Sequence, residues 1–146
     1  MNFTKVLDIY EEPGEEELLE GEVKDRGYWE GRSNPKSMEL FDGLVELSKA
    51  YDPHIRITYN KHHIAVGTIR RNFSWYHPRK KEGYCHFNIR VGRDNIEKAK
   101  EIFEGAGIAA SVRREDDFAI PLHMTELKKK MEGLNQVFGL AIKTYS

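Results

Sequence analysis

The sequence predicts one α+β domain: a single mostly antiparallel sheet, built from a four-strand meander plus two short strands, with about three helices packed on one face. Three observations lead there. Apolar residues recur at helical spacing in three stretches and alternate singly with polar ones elsewhere. The alternating stretches between residues 55 and 91 are joined by short turns rather than by helices, which is the spacing of a meander. A chain of 146 residues with 39% hydrophobic and 32% charged side chains is long enough for one continuous core and short for two.

Residues 1–27 read as an acidic N-terminal arm and residues 28–146 as the domain. The run Glu11-Glu12-Pro13-Gly14-Glu15-Glu16-Glu17 repels itself and contains a Pro-Gly turn. Val6, Leu7, Ile9, Leu18, Leu19 and Val23 give the arm apolar points of attachment to the body. Tyr28-Trp29-Glu30 follows, either a hydrophobic staple that closes the core or a docking aromatic pair, with core use favoured because large aromatics near helix starts usually pack.

Ser33-Asn34-Pro35 supplies a capping side chain and a proline suited to a first helical position. A helix is therefore predicted from about residue 35 to residue 50, with Phe41, Leu44, Val45, Ser48 and Tyr51 as its apolar stripe. Asp52-Pro53 ends it. Strands at 55–59, 63–68, 73–77 and 84–91 come next, with Phe73 and Trp75 placed together and Pro78 marking an edge or a strand end. The last of the four alternates cleanly, Cys85, Phe87, Ile89 and Val91 one way, Tyr84, His86, Asn88 and Arg90 the other. A second helix begins near Asp94 and stops in Gly105-Ala106-Gly107. Short strands at 109–113 and 118–122 flank the acidic turn Glu115-Asp116-Asp117, and a last helix is predicted over 125–141.

Charge is strongly segregated along the chain. Residues 1–53 hold 14 acids and 6 bases, residues 54–93 hold one acid and 9 bases, and residues 94–146 hold 9 acids and 8 bases. A chain of net charge −1 is thus −8, +8 and −1 in its three parts. Cationic side chains neutralise phosphates, and aromatic rings give unstacked bases a platform. The polar side of the sheet and its loops are therefore the candidate surface for a nucleic acid or nucleotide. Its cations are Arg56, Lys61, Arg70, Arg71, Arg79, Lys80 and Lys81, its platforms Tyr76 and Tyr84, and its central polar groups His86, Asn88 and Arg90. Arg70-Arg71 and Arg79-Lys80-Lys81 bound one strand and lie about 25 Å apart if it is extended, a separation suited to tracking a backbone.

Two other function classes fit the same residues. In one, the chain is a protein-interaction or regulatory module whose acidic arm covers its own basic face, or that of a protein partner or a second copy in a homodimer. In the other, it is a small enzyme using His86 as a general acid or base with Asn88 or Arg90. Enzymatic use is the less favoured, and no catalytic residue is assigned.

Several chemistries lack their residues. Five histidines, His54, His62, His63, His77 and His86, fall in the basic stretch, but they have no helical His-x-x-x-His spacing and cationic surroundings, so no metal site is expected. Glu22-Val23-Lys24 with Asp8 matches part of a nuclease signature without the central strand that signature needs. There is no phosphate-cradling glycine loop and no nucleophile elbow, and no cofactor is expected. The lone Cys85 reads as a small core hydrophobe. No apolar run approaches the length of a membrane span and the first residues do not resemble a signal peptide, so a cytoplasmic protein with no membrane partner is expected.

From Tyr28 onward the order of elements, with Tyr28-Trp29-Glu30, Ser33-x-Pro35, the Asn72-Phe73 strand running into Pro78-Arg79-Lys80, and a closing helix after Pro121-Leu122, resembles an uncharacterised bacterial domain. That domain occurs at the C-termini of longer predicted proteins, some related to restriction or ATP-binding systems. The resemblance implies an accessory module that binds nucleic acid or a partner, and carries over no catalytic residues.

Overall fold

The computed structural model describes residues 22–146. The order is α1 (Arg26–Arg32), α2 (Pro35–Tyr51), β1 (Arg56–Tyr59), β2 (Ile64–Gly67), β3 (Asn72–Pro78), β4 (Tyr84–Arg90), a 3-10 turn (Arg93–Asn95), α3 (Ile96–Ala106), β5 (Ser111–Val112), β6 (Asp117–His123) and α4 (Met124–Tyr145). Residues 1–21 of the expected acidic arm lie outside the described residues. Residues 22–24 already pair with the sheet. Val23 bridges Asn60, Lys24 N–H donates to the Tyr59 carbonyl at 2.6 Å, and Lys61 N–H donates to the Glu22 carbonyl at 3.1 Å.

α1 adds a fourth helix to the three expected. Two glycines in seven residues, Gly27 and Gly31, argue against it on propensity. Capping and tertiary contacts override them. The Asp25 carboxylate accepts the Tyr28 N–H at 2.9 Å, and Arg26 grips Asp42 of α2 through two hydrogen bonds of 2.9 and 2.7 Å. Trp29, 3% exposed, joins the core and donates its indole N–H to the Asn60 carbonyl at 2.8 Å, which is the staple role expected of it.

α2 begins as the sequence predicts, with Asn34 accepting the Lys36 N–H at 2.8 Å and Pro35 in the first turn. α3 stops at Gly107, whose φ of 70° is left-handed and whose N–H returns to the Glu104 carbonyl. α4 is capped reciprocally by His123 and Glu126. It runs past residue 141 because its last turn is tied to the sheet, Thr68 Oγ1 donating to the Tyr145 carbonyl at 2.8 Å and Thr144 Oγ1 to the Val91 carbonyl at 3.3 Å.

All neighbouring strands are antiparallel, in the order β1-β2-β3-β4-β6-β5. The meander β1 to β4 is as expected, and Pro78 is the last residue of β3. One expectation is corrected. The final two strands are not both short: β6 is seven residues long, pairs with β4 along its whole length and separates β4 from β5. Pro121 is tolerated inside β6 because β5 reaches only Phe118 and Ala119, so β6 behaves as an edge where the missing N–H would matter.

Helices α2, α3 and α4 enclose one face. There Phe41, Leu44 and Val45 of α2 and Val137, Phe138 and Ala141 of α4 share a contiguous core with Tyr76, Phe87, Ile89, Phe118, Ile120 and Leu122 of the sheet. Cys85 is in this core, and burial pushes its thiol well above the ordinary range, so it is an inert hydrophobe as expected.

Candidate functional site

Residues directly opposite in antiparallel strands point to the same face, so the register defines the side away from the core. Opposite pairs there are Ala65 and Trp75, Trp75 and Asn88, His77 and His86, and, from β4 to β6, Tyr84 and His123, His86 and Pro121, Asn88 and Ala119, Arg90 and Asp117. On the face away from the helices, called the open face here, the sheet thus carries a row of polar and aromatic side chains, of which His86 is exposed while Trp75, Arg90 and Asp117 are buried.

The meander also fixes where the loops lie. The β1–β2 turn with Lys61 and the β3–β4 loop with Arg79, Lys80 and Lys81 occupy one end of the sheet. The β2–β3 turn with Arg70 and Arg71 occupies the other, together with the β5–β6 turn carrying Arg113 and Arg114. The two loops that bound β3 therefore lie at opposite ends of one face-defining strand, about 23 Å apart at 3.3 Å per residue.

At the β3–β4 end, the ring of Tyr84 meets that of His123 edge-on with centroids 4.4 Å apart, and Lys81 Nζ lies 4.8 Å from the Tyr84 centroid. Arg79, Lys80, Lys81 and His86 are exposed beside this pair. Burial and the nearby Arg79 charge hold the His86 pKa below the ordinary imidazole range. For His77, burial first, then His63 and Arg79, push it down to about 4. The rings of His77 and His86 are therefore neutral at pH 7.

His77 gives a pH prediction. An unfolded imidazole takes its proton near pH 6.5 and the folded one only near pH 4, so between these values the unfolded state binds more protons. Stability should be full above about pH 6.5, fall as pH drops towards about 4, and level off in this contribution below that. Urea unfolding across this range should show a slope that His77→Gln reduces; an unchanged slope contradicts the buried, neutral ring.

Towards the middle of the face, His63, Trp75, His77, Asn88, Arg90, Arg113, Arg114 and Asp117 line a recess of about 80 Å³. Arg90 is 3% exposed, lies over the Trp75 ring at 5.1 Å, and has its Nε 3.3 Å from Asp116 Oδ2. A larger cleft of about 580 Å³ opens among the helix ends at Tyr51, Ile102 and Leu140. We place the candidate site on the sheet face that holds the smaller recess, because polar groups gather there, while the larger cleft is mostly apolar.

The predicted site residues are only partly brought together. Tyr84, His86, Asn88 and Arg90 share the open face, with Lys61, Arg79, Lys80 and Lys81 at one end of it. Tyr76 is corrected: it is fully buried on the helix side with its ring stacked on Phe87 at 5.3 Å, and offers no platform to a base. Trp75 is corrected as well, since it does not accompany Phe73 in the core cluster but stands on the open face opposite Asn88. Arg56 is spent on the β2–β3 turn, donating to the Thr68 carbonyl at 2.6 Å and to Asn72 Oδ1 at 3.3 Å. Arg71 lies 5.6 Å from the Tyr145 ring centroid and Arg70 donates to the Ser146 carbonyl at 3.4 Å, so both brace the end of α4.

His86 does not line the recess that Asn88 and Arg90 line. Glu22 lies 2.7 Å from Lys24 Nζ and 3.6 Å from Lys61 Nζ, as an exposed ion-pair group. Among the described residues, no three His, Cys, Asp or Glu side chains are grouped to hold a metal, and no helix is long and apolar enough to cross a membrane.

No protein-family model, curated protein or solved structure matches the chain. Sequence reasoning missed Trp75, His63, His77, Arg113, Arg114 and His123 as members of the site. The signal for His123 was available, since continuing the inward alternation of Phe118, Ile120 and Leu122 turns it outward.

Proposed function

We propose that the open face of the sheet binds single-stranded nucleic acid and catalyses no reaction on it. The observation that carries this reading is the outward Tyr84–His123 ring pair, with Lys81 over it and the exposed Arg79-Lys80-Lys81 loop alongside. Rings of this kind accept any base, and neighbouring cations track its phosphates.

Fluorescence anisotropy with labelled oligonucleotides tests this. Binding of a single strand should weaken steeply with salt, with log affinity against log salt falling by about 0.7 per phosphate neutralised. Single strands should bind more tightly than duplex of the same sequence, because paired bases cannot reach the rings. Absence of binding at low salt sinks the reading.

A second reading is supported by Glu22, an acid of the arm that lies 3.6 Å from Lys61 in the basic meander. In it the arm covers the basic surface as an intramolecular competitor, and the same titration gains affinity when residues 1–21 are removed.

A further inference from the structure

An open sheet edge presents a row of unpaired N–H and C=O groups and is a template for another strand, so proteins usually cover it. β1 is the outermost strand on its side of the sheet. Its phase is fixed by Asn60 N–H, which donates to the His63 carbonyl at 2.9 Å. The backbone groups of Thr58 and Arg56 therefore point towards β2, and those of Tyr59, Ile57 and Ile55 point outward. Residues 22–24 take the first part of this outer edge, Lys24 N–H donating to the Tyr59 carbonyl and Lys61 N–H to the Glu22 carbonyl. The chain then leaves it, because Asp25 caps α1. Among the described residues, nothing pairs with the N–H and C=O of Ile57 or Ile55.

The side chains of this edge are left half-covered as well. Ile55 and Ile57 pack against the core but are only half-buried, whereas Val66, opposite Ile57 in β2, is fully buried. On the open face, Arg56 is exposed. It donates to the Thr68 carbonyl and Asn72 Oδ1, and among the described residues no carboxylate lies within ion-pair reach of it. A strand that suits this edge brings apolar side chains to the helix side and, between them in sequence, an acid to the open face.

The chain contains such a segment in Phe3-Thr4-Lys5-Val6-Leu7-Asp8-Ile9-Tyr10, which is rich in strand-forming residues and sets Asp8 between Leu7 and Ile9. We propose that residues 3–10 pair with the outer edge of β1 and complete the sheet there, with Asp8 beside Arg56 and with Leu7 and Ile9 beside Ile55 and Ile57. The match holds whether the segment runs parallel or antiparallel to β1, because Asp8 is at its centre. The connection is long enough. Residues 11–21 extend to about 36 Å, and the edge from Lys61 to His54 is about 23 Å long. The pairing does not depend on what the open face binds.

Amide hydrogen exchange of the full chain tests this, with Ile57 as the reporter and Thr58, whose N–H faces β2, as the control. Ile57 N–H should be protected. Leu7→Asp together with Ile9→Asp should speed its exchange about tenfold, the change expected when one hydrogen bond is lost, and leave Thr58 as it was. Asp8→Lys sets two cations side by side and should speed Ile57 about fivefold, in keeping with the strength of charged cross-strand pairs. An Ile57 amide that exchanges as freely as an unstructured one in the unaltered chain overturns the pairing, as does a rate that Leu7→Asp and Ile9→Asp leave unchanged. An unchanged rate in Asp8→Lys overturns the register. Protection should also be independent of protein concentration. Protection lost on dilution, in step with a fall from dimer to monomer mass, overturns pairing within one chain in favour of a strand exchanged between two copies.

Discussion

Phe87→Ala should destabilise the protein by about 3–5 kcal/mol, the largest effect expected of any single truncation in the sheet. Phe87 is 1% exposed at the middle of β4, paired with Tyr76 of β3 on one side and Ile120 of β6 on the other. Its ring stacks on Tyr76 at 5.3 Å and meets Phe138 of α4 at 6.0 Å, while Tyr76 in turn meets Phe41 of α2 at 5.2 Å. One ring therefore links three strands to two helices. Its neighbours are fixed by strand pairing on both sides, so they cannot collapse into the cavity, and the cost belongs at the upper end of the range. Since whole domains are stable by about 5–15 kcal/mol, the variant should unfold at a much lower urea concentration with an unchanged slope. His86→Ala, one residue away on the open face, should shift stability by less than about 0.5 kcal/mol. Equal costs for the two contradict the division of the sheet into a covered and an open face.

The second large effect is on binding. Replacing Arg79, Lys80 and Lys81 together by glutamine should weaken single-strand binding uniformly across sequences and lower the salt slope by about 2, near 0.7 for each lost phosphate contact. All three side chains are exposed, so the fold should be unaffected, which urea unfolding checks. The same exchange at Lys128 and Lys129 on α4, also exposed but on the helix side, should leave the slope in place. A slope that responds equally to both sets would mean that binding follows total charge rather than this end of the sheet.

Much of the fold is legible in the sequence because local chemistry and tertiary packing agree there. Asn34-Pro35 starts α2, Gly107 stops α3, and the clean alternation of β4 follows from a strand with one covered and one open face. Where they disagree, the sequence misleads. α1 contains two glycines and is held by Arg26–Asp42 and by Trp29, contacts that propensity does not see. β3 has no usable alternation: Asn72 to Tyr76 are all buried, the open-face members lying beneath the recess, so Tyr76 and Trp75 were assigned to the wrong sides. The neighbourhood of β4 and β6 is a long-range fact that turn spacing cannot supply. For the site, the charge excess of residues 54–93 located the right sheet but not the recess. Arg113 and Arg114 lie outside that stretch, masked by three consecutive acids, and His123 sits at a helix start where it reads as a cap. The cations at 56, 70 and 71 are largely engaged by the protein itself, a use that composition cannot distinguish from readiness to bind phosphate.

The most direct measurement of the central claim is a residue-by-residue map of amide and indole shifts as a short single strand is titrated into labelled protein at low salt. The open-face account predicts that perturbations gather on Trp75, His77, Tyr84, His86, Asn88 and His123 and on the loop at 79–81, with the amides of α3 and the outer side of α4 unmoved. Perturbations gathered on those helices, with the Tyr84–His123 end silent, would contradict it.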